Sequence, residues 1–166
     1  MKEVQKCCFI GETLRKFTKN EGENQKECPR LKREIRKAIE TQIKNGITYF
    51  ISDMEYGIGL FAAEVLVGIK AKYPHIRLEA LIPFESQAVN LSDSCRERYF
   101  DTVAKADIEV MFQKHYTFDC RKRCTQAAID NSDVVIAAWN GCMNSTKAAI
   151  RYAQNQGKNV IILPVA

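Results

Sequence analysis

Residues 47–59 read ITYFISDMEYGIG, a short β-branched and aromatic stretch that passes through glycines into an amphipathic segment. The first five residues predict a buried strand, and the apolar positions that follow Gly57 recur at helical spacing. Many α/β proteins bind phosphate at such a strand-to-helix turn, because the backbone amides and the helix dipole favour an anion. This turn instead carries two carboxylates, Asp53 and Glu55. The stretch therefore predicts a pocket of the nucleotide-binding kind in which two carboxylates stand where an anionic group would bind.

The same alternation of strand and helix patterns continues along the chain. Short apolar segments predict six strands, at residues 4–10, 47–51, 76–82, 106–112, 134–138 and 159–163. Segments with helical periodicity separate them, and residues 12–28 are polar and aperiodic, which predicts a long loop. Strict alternation predicts one α/β domain over residues 1–166, with a Rossmann-like, doubly wound, mainly parallel sheet of about six strands and helices on both faces.

The composition excludes several classes of protein. With 166 residues, 46% of them hydrophobic and 27% charged, the chain is globular and large enough for one domain. The net charge is +5, but acids alternate with the basic residues, and the densest basic run, 30–36, has the spacing of a solvated helix face. Aromatic residues are not interleaved with the basic ones, so nucleic acid is not an expected partner. No apolar run approaches a membrane span and no signal-peptide pattern begins the chain, so we expect a cytoplasmic protein with free thiols and no membrane partner.

Four loops that follow predicted strands supply the candidate ligand-binding residues, because doubly wound sheets bind ligands at the carboxyl ends of their strands. The hydroxyls, amides, charged groups and glycines of these loops suit a phosphate or a ribose. The candidates are Gly11, Glu12, Ser52, Asp53, Glu55, Gly57, Glu85, Gln87, Asn140, Gly141, Ser145, Thr146 and Lys147, together with Arg123 from a predicted helix.

Each group of candidates also has a purely structural interpretation. A carboxylate of the 52–59 turn would then satisfy the amides of the following helix, and residues 144–147 would form an ordinary hydroxyl cap. Gln87 would pin its own loop, and Arg123 would pair with Asp119. The sequence alone leaves both interpretations open.

A metal site is not predicted. Cys120 and Cys124 share a helix face at i, i+4, and His115 lies nearby in the chain. No fourth ligand is evident, and the spacing matches no zinc pattern.

Short motifs along nearly the whole chain, from residue 7 to residue 163, resemble the YpsA-like family of the SLOG superfamily, a Rossmann-like group that includes the DNA-processing protein DprA and the cytokinin-activating LOG enzymes. Their order and spacing carry the resemblance. The motifs are Tyr49-Phe50-Ile51-Ser52-x-Met54-x-x-Gly57, Ala62-Ala63-Glu64, Ile82-Pro83-Phe84-Glu85-x-Gln87, Arg96-Glu97-Arg98-Tyr99, the stretch from Tyr116 to Arg123, which keeps the family's arginine at Arg123, Asn131-Ser132-Asp133 followed by Ile136-Ala137, and Asn140-Gly141 with Thr146-Lys147.

The loops depart from the family pattern. The first strand is usually followed by Gly-His-Arg-Pro, where this chain has GETL at 11–14. The second loop usually reads Ser-Gly-Met-Ala-x-Gly-x-Asp, so the first glycine, the alanine and the aspartate are here replaced by Asp53, Glu55 and Gly59. A usual Gly-Gly-Thr is Asn-Ser-Thr at 144–146.

The resemblance implies a bacterial protein that binds a nucleotide or a nucleotide derivative, such as ADP-ribose, NAD or AMP, in a sensing or regulatory role. It also implies self-association or a protein partner. One alternative is a nucleotide-processing enzyme, an N-glycosidase of the phosphoribohydrolase type, with Glu85 as the candidate catalytic residue. The Pro-Gly-Gly-x-Gly-Thr loop of the LOG enzymes is missing from the sequence, which favours binding over catalysis. The other alternative is a divergent scaffold that has lost ligand binding and acts through protein partners.

Overall fold

A computed structural model of the chain describes residues 3–12 and 27–165. Most of the predicted loop at 12–28 lies outside these residues. Within them, strands and helices alternate strictly. In chain order they are β1 (Lys6–Gly11), α1 (Glu27–Lys44), β2 (Tyr49–Ser52), α2 (Ile58–Ile69), β3 (Arg77–Ile82), α3 (Asp93–Lys105), β4 (Ile108–Met111), α4 (Cys120–Asp130), β5 (Val134–Trp139), α5 (Ser145–Asn155) and β6 (Asn159–Pro164).

The strands form one sheet in the order β4-β3-β2-β1-β5-β6, and every neighbouring pair is parallel. The predicted doubly wound fold is therefore confirmed. The order reverses at β1, because β2 to β4 extend the sheet on one side while β5 and β6 extend it on the other. The switch point thus lies between the carboxyl ends of β1 and β5, where this class of sheet binds ligands.

Helices cover both faces of the sheet, as alternating side chains of β1 show. Cys7 and Phe9 point into a core that α1, α2 and α3 cover. Cys8 and Ile10 point into a second core beneath α4 and α5. The two-sided burial explains why the central strands read as continuous apolar runs in the sequence.

Candidate functional site

The loop between β2 and α2 is folded around the side chain of Ser52. The hydroxyl oxygen of Ser52 accepts a hydrogen bond from the Met54 amide at 3.0 Å and donates to the Gly59 carbonyl at 2.6 Å. Ser52 is fully buried. Met54 has a φ of 61° and Gly57 a φ of 138°, so the loop makes two sharp backbone turns before the helix begins. The loop is therefore a fixed structure and Ser52 is its internal anchor.

Asp53 fills the space above the first turn of α2. Its Oδ1 atom accepts a hydrogen bond from the Glu55 amide at 3.0 Å. A Cβ atom added at Gly59 would lie 2.2 Å from the same oxygen, so a side chain at position 59 would require the Asp53 carboxyl to move. Relative to the family pattern, glycine and aspartate have exchanged positions 53 and 59, and the carboxylate has stayed at this end of α2. Burial, and then the neighbouring Glu55 charge, raise the pKa of Asp53 to about 7.

Glu55 pairs with Arg121, a residue at the start of α4 that was not among the predicted candidates. The Arg121 Nε atom lies 2.5 Å from Glu55 Oε1. Its guanidinium also lies over two aromatic rings, 5.1 Å from the ring centre of Phe84 and 5.9 Å from that of Tyr116. The two rings meet edge to face. Arg121 thus joins the β2–α2 loop to the loops that follow β3 and β4.

Arg123, the arginine that the sequence analysis named, faces another way. Its Nε atom contacts Asp119 Oδ2 at 3.0 Å and its NH2 group donates to Gln113 at 2.5 Å. This is the structural interpretation considered above. The family pattern pointed to Arg123, and no local signal in the sequence pointed to Arg121, because its Glu55 partner lies 66 residues away in the chain.

Gln87 pins the β2–α2 loop from behind. Its side-chain amide donates to the Asp53 carbonyl at 2.9 Å, and its oxygen accepts a hydrogen bond from the Tyr99 hydroxyl at 2.8 Å. Gln87 and Tyr99 are buried. Glu85, two residues earlier, is exposed, and its backbone amide donates to the Lys114 carbonyl at 3.0 Å. Gln87 is therefore a positioning residue of the loop.

At the switch point, Glu12 spans the gap between the ends of β1 and α5. Its Oε1 atom accepts hydrogen bonds from the Ser145 hydroxyl at 2.7 Å, the Thr146 amide at 3.0 Å and the Thr146 hydroxyl at 2.8 Å. Thr146 is 2% exposed. Gly11 packs closely against the start of α2, because a Cβ atom there would lie 2.8 Å from Ile58 Cγ2. The carboxylate therefore lies where the sequence analysis placed a ligand phosphate.

The turn between β5 and α5 is held by side-chain amides. Asn144 caps α5 by accepting a hydrogen bond from the Lys147 amide at 3.1 Å. Asn140 accepts from the Cys142 amide at 3.0 Å, and Gly141 has a φ of 86°. The Lys147 ammonium lies 4.7 Å from the ring centre of Trp139. Asn140, Gly141 and Lys147 thus shape the turn that presents Ser145 and Thr146.

The structure arranges the candidates in two clusters at the carboxyl ends of the strands. The first cluster joins Glu12 to the start of α5, and the second joins Asp53 and Glu55 to the residues that hold them. In the first cluster the Glu12 carboxylate accepts hydrogen bonds at the start of α5 that an anionic ligand would need. In the second cluster Asp53 accepts the Glu55 amide within the loop before α2. Among the residues that the structure describes, no group of three or more His, Cys, Asp or Glu side chains could hold a metal ion.

The loop between β4 and α4 presents aromatic and basic side chains side by side. Phe118 is 97% exposed and Tyr116 is 55% exposed. Lys114 is exposed on the same loop, and Arg121 and the exposed Lys122 follow in the first turn of α4. Over residues 114–123 aromatic and basic residues are interleaved, contrary to the expectation from the sequence. The expectation against a nucleic-acid partner therefore loses its basis.

No helix within residues 3–12 and 27–165 combines the length and the apolar character that a membrane crossing requires.

Comparison with known proteins identifies relatives and structural neighbours. A UPF0398 protein of Halalkalibacterium halodurans is 36% identical over 77 residues, which are 44% of this chain and 41% of the relative. A UPF0398 protein of Shouchella clausii is 35% identical over 88 residues, which are 52% of this chain and 47% of the relative. The chain thus matches about half the length of these relatives.

Two solved structures share the fold. DNA processing protein A from Helicobacter pylori, in a structure that describes its single-stranded DNA binding mode, superposes with a TM-score of 0.65 at 17% identity. The match covers 98% of this chain and 66% of that one. DNA processing protein A (DprA) from Streptococcus pneumoniae gives a TM-score of 0.65 at 13% identity, over 98% of this chain and 51% of its own. At these sequence identities, the structural similarity shows that this chain and the two proteins share a fold.

The family model YpsA, which stands for the YspA SLOG family, matches residues 20–160 of this chain. The resemblance found in the sequence motifs is confirmed by this match. The chain belongs to the YspA SLOG family.

Proposed function

We propose that this protein binds a nucleotide or a nucleotide derivative at the carboxyl ends of β1, β2 and β5, in a sensing or regulatory role in the bacterial cytoplasm. One observation carries the proposal. At the switch point of the sheet, Glu12 meets the Ser145 and Thr146 side chains from loops more than 130 residues apart in sequence. Family membership supports the same location. ADP-ribose, NAD and AMP are the ligands to be tried first.

The two clusters offer different contacts to such a ligand. Carboxylate and hydroxyl oxygens, as on Glu12 and Ser145, accept hydrogen bonds from ribose hydroxyls. Tyr116, which is about half exposed beside the Arg121 guanidinium, offers a flat surface on which a base can stack. A nucleoside has both kinds of group, a polar sugar and a flat base.

Thermal unfolding with a panel of ADP-ribose, NAD, AMP and cyclic nucleotides tests the proposal. A ligand that binds only the folded state, at one hundred times its Kd, stabilises that state by about 2.7 kcal/mol. For a chain of this size that corresponds to a rise in Tm of roughly 5 to 10 °C. We expect Thr146→Val, which removes the buried hydroxyl, to reduce the rise. Thr41→Val is the matched control, because the Thr41 hydroxyl donates to the Lys37 carbonyl within α1, away from the strand ends.

If no member of the panel moves the Tm of the wild-type protein, the proposal is contradicted and the scaffold alternative takes its place. The same samples are assayed for released free base. Base release that Glu85→Gln abolishes would instead assign the enzyme alternative.

A second candidate function, binding of single-stranded nucleic acid, is favoured by the loop between β4 and α4. Exposed aromatic rings stack on unpaired bases, and adjacent cations contact phosphates. Phe118 and Tyr116 provide the rings, and the exposed Lys114 and Lys122 provide positive charge. The Helicobacter pylori structural neighbour is described as binding single-stranded DNA.

Fluorescence anisotropy with a labelled oligothymidine tests the second candidate. We expect binding that weakens steeply with salt and that Phe118→Ala weakens roughly 5- to 100-fold. Phe100→Ala is the matched control, because Phe100 is 56% exposed on α3, outside the loop. Equal effects of the two substitutions, or binding insensitive to salt, would exclude this loop as the binding surface.

A further inference from the structure

A groove lies between α1 and α2, in the helix layer that covers one face of the sheet. Its volume is about 300 Å³. Lys32 and Arg36 line it from α1, and Phe61, Val65 and Ile69 line it from α2. These residues are separate from the two clusters at the strand ends, so an inference from the groove stands independently of the proposed nucleotide site.

Gly68, which also lines the groove, keeps it open on the side of α2. A Cβ atom added at Gly68 would meet no atom of the described residues within 4 Å, and Gly68 is not among the glycines with a positive φ. Neither close packing in the described part of the chain nor a left-handed backbone therefore requires glycine here. Because glycine is less favourable in a helix than alanine, the chain keeps a destabilising residue where a side chain would narrow the groove.

Positive charge lies over the apolar lining. The Lys32 ammonium lies 4.6 Å from the ring centre of Phe61. Arg36 contacts Glu40 through its Nε atom at 3.2 Å, and its side chain is 58% exposed. An ammonium has three N–H donors and a guanidinium has five. Both groups can therefore bind a further carboxylate alongside the contacts that they already make.

The acidic side chain in the lining, Glu64, is neutralised by Arg98 of α3. The Arg98 Nε atom donates to Glu64 Oε2 at 3.0 Å. With the paired partners included, three positive charges, on Lys32, Arg36 and Arg98, face two negative charges, on Glu64 and Glu40. The groove thus complements a molecule that joins a negative group to an apolar group.

We propose that the groove between α1 and α2 binds a small carboxylic acid with an aliphatic or aromatic group. The ligand carboxylate contacts Lys32 and Arg36, and its apolar group lies on Val65 beside Gly68. A volume of about 300 Å³ is at the lower end of the range for ligand sites, which suits a molecule of about ten non-hydrogen atoms.

An NMR titration with 3-phenylpropionate, followed by the amide chemical shifts, tests the proposal. The matched neutral probe is 3-phenylpropionamide, which has nearly the same shape without the charge. We expect the carboxylate to shift the amides of residues 32–36 and 61–69, with a Kd in roughly the millimolar range. It should bind at least about threefold more tightly than the amide. The absence of shifts, shifts confined to other residues, or equal binding of the two probes would overturn the proposal.

Three variants then locate the ligand in the groove. Gly68→Leu places a side chain in the open space and should abolish the shifts. Arg36→Gln should weaken binding about 2- to 5-fold, and it keeps the test decisive if Gly68→Leu does not fold, because the Arg36 side chain is mostly exposed. Arg33→Gln is the control, since Arg33 is exposed on α1 outside the lining, and should leave binding unchanged. Wild-type binding by a folded Gly68→Leu protein, or equal losses in the two arginine variants, would contradict the assignment.

Discussion

Replacing Asp53 by asparagine should make the protein more stable at pH 8 and change little at pH 4. Asp53 is half-buried over the first turn of α2, and its carboxyl accepts the amide hydrogen bond of Glu55. Burial first, and the Glu55 carboxylate second, raise its pKa from 3.8 to about 7, while the Glu55 amide and Arg121 oppose the rise. Asparagine keeps the shape and the acceptor oxygen without the charge.

The size and the sign follow from proton linkage. Between pH 4 and pH 7 the folded protein holds a proton on Asp53 that the unfolded chain has released. The free energy of unfolding that this group contributes is therefore fully present below pH 4 and is lost as the pH rises through 7. A shift from 3.8 to about 7, at 1.36 kcal/mol for each pKa unit, gives at most about 4 kcal/mol. Because Asp53 is partly exposed, screening by solvent reduces this to about 2–4 kcal/mol.

Urea unfolding of wild type and Asp53→Asn at half-unit steps from pH 4 to pH 8.5 measures the effect. We expect the two stabilities to agree near pH 4 and to separate by about 2–4 kcal/mol above pH 7. Asp119→Asn is the control, because hydrogen bonds from Thr117 and Arg123 lower the pKa of Asp119, so its removal has the opposite sign. If the free energies of unfolding of wild type and Asp53→Asn changed in parallel with pH, the raised pKa of this buried carboxyl would be refuted.

Three further substitutions test the packing of the site. Gly59→Ala places a Cβ atom 2.2 Å from Asp53 Oδ1 and should lower the free energy of unfolding, measured in urea, by about 1–3 kcal/mol. In a protein that already carries Asp53→Ala, the same substitution should lower it by less than about 1 kcal/mol. Equal costs in both backgrounds would show that the two positions do not interact. Tyr99→Phe removes the donor to Gln87 and should cost about 1–2 kcal/mol, whereas a neutral result would mean that water replaces the hydroxyl. Asn144→Ala removes the cap of α5 and should lower the free energy of unfolding by about 1 kcal/mol, and no loss would argue against the cap.

The fold could be predicted because its signals are local. Each central strand, such as Val134–Trp139, is an unbroken apolar run, and each helix has its own periodicity, so the alternation is visible without knowledge of contacts. Parallel topology then follows from general rules of connection. The family motifs supported the same result, which the family match confirms.

The contacts of the site could be predicted only in part, because they depend on pairs far apart in sequence. The loops were placed correctly at the strand ends, yet the partner of Thr146 is Glu12, 134 residues away. Arg121 and Arg123 look alike in sequence, and only the packing of α4 decides which of them meets Glu55. Departures from the family pattern indicated that the loops had changed, and the geometry shows how: Glu12 and Asp53 accept amide hydrogen bonds from Thr146 and Glu55, and Glu55 pairs with Arg121.

The most direct test of the account is a map of amide chemical shifts, recorded by NMR with a saturating concentration of ADP-ribose. Binding at the carboxyl ends of β1, β2 and β5 predicts shifts at residues 11–12, 52–57 and 140–147. Residues 30–44 of α1 serve as an internal reference that should stay unmoved. Shifts confined to residues 114–123, or no shifts at all, would contradict a nucleotide site at the switch point of the sheet.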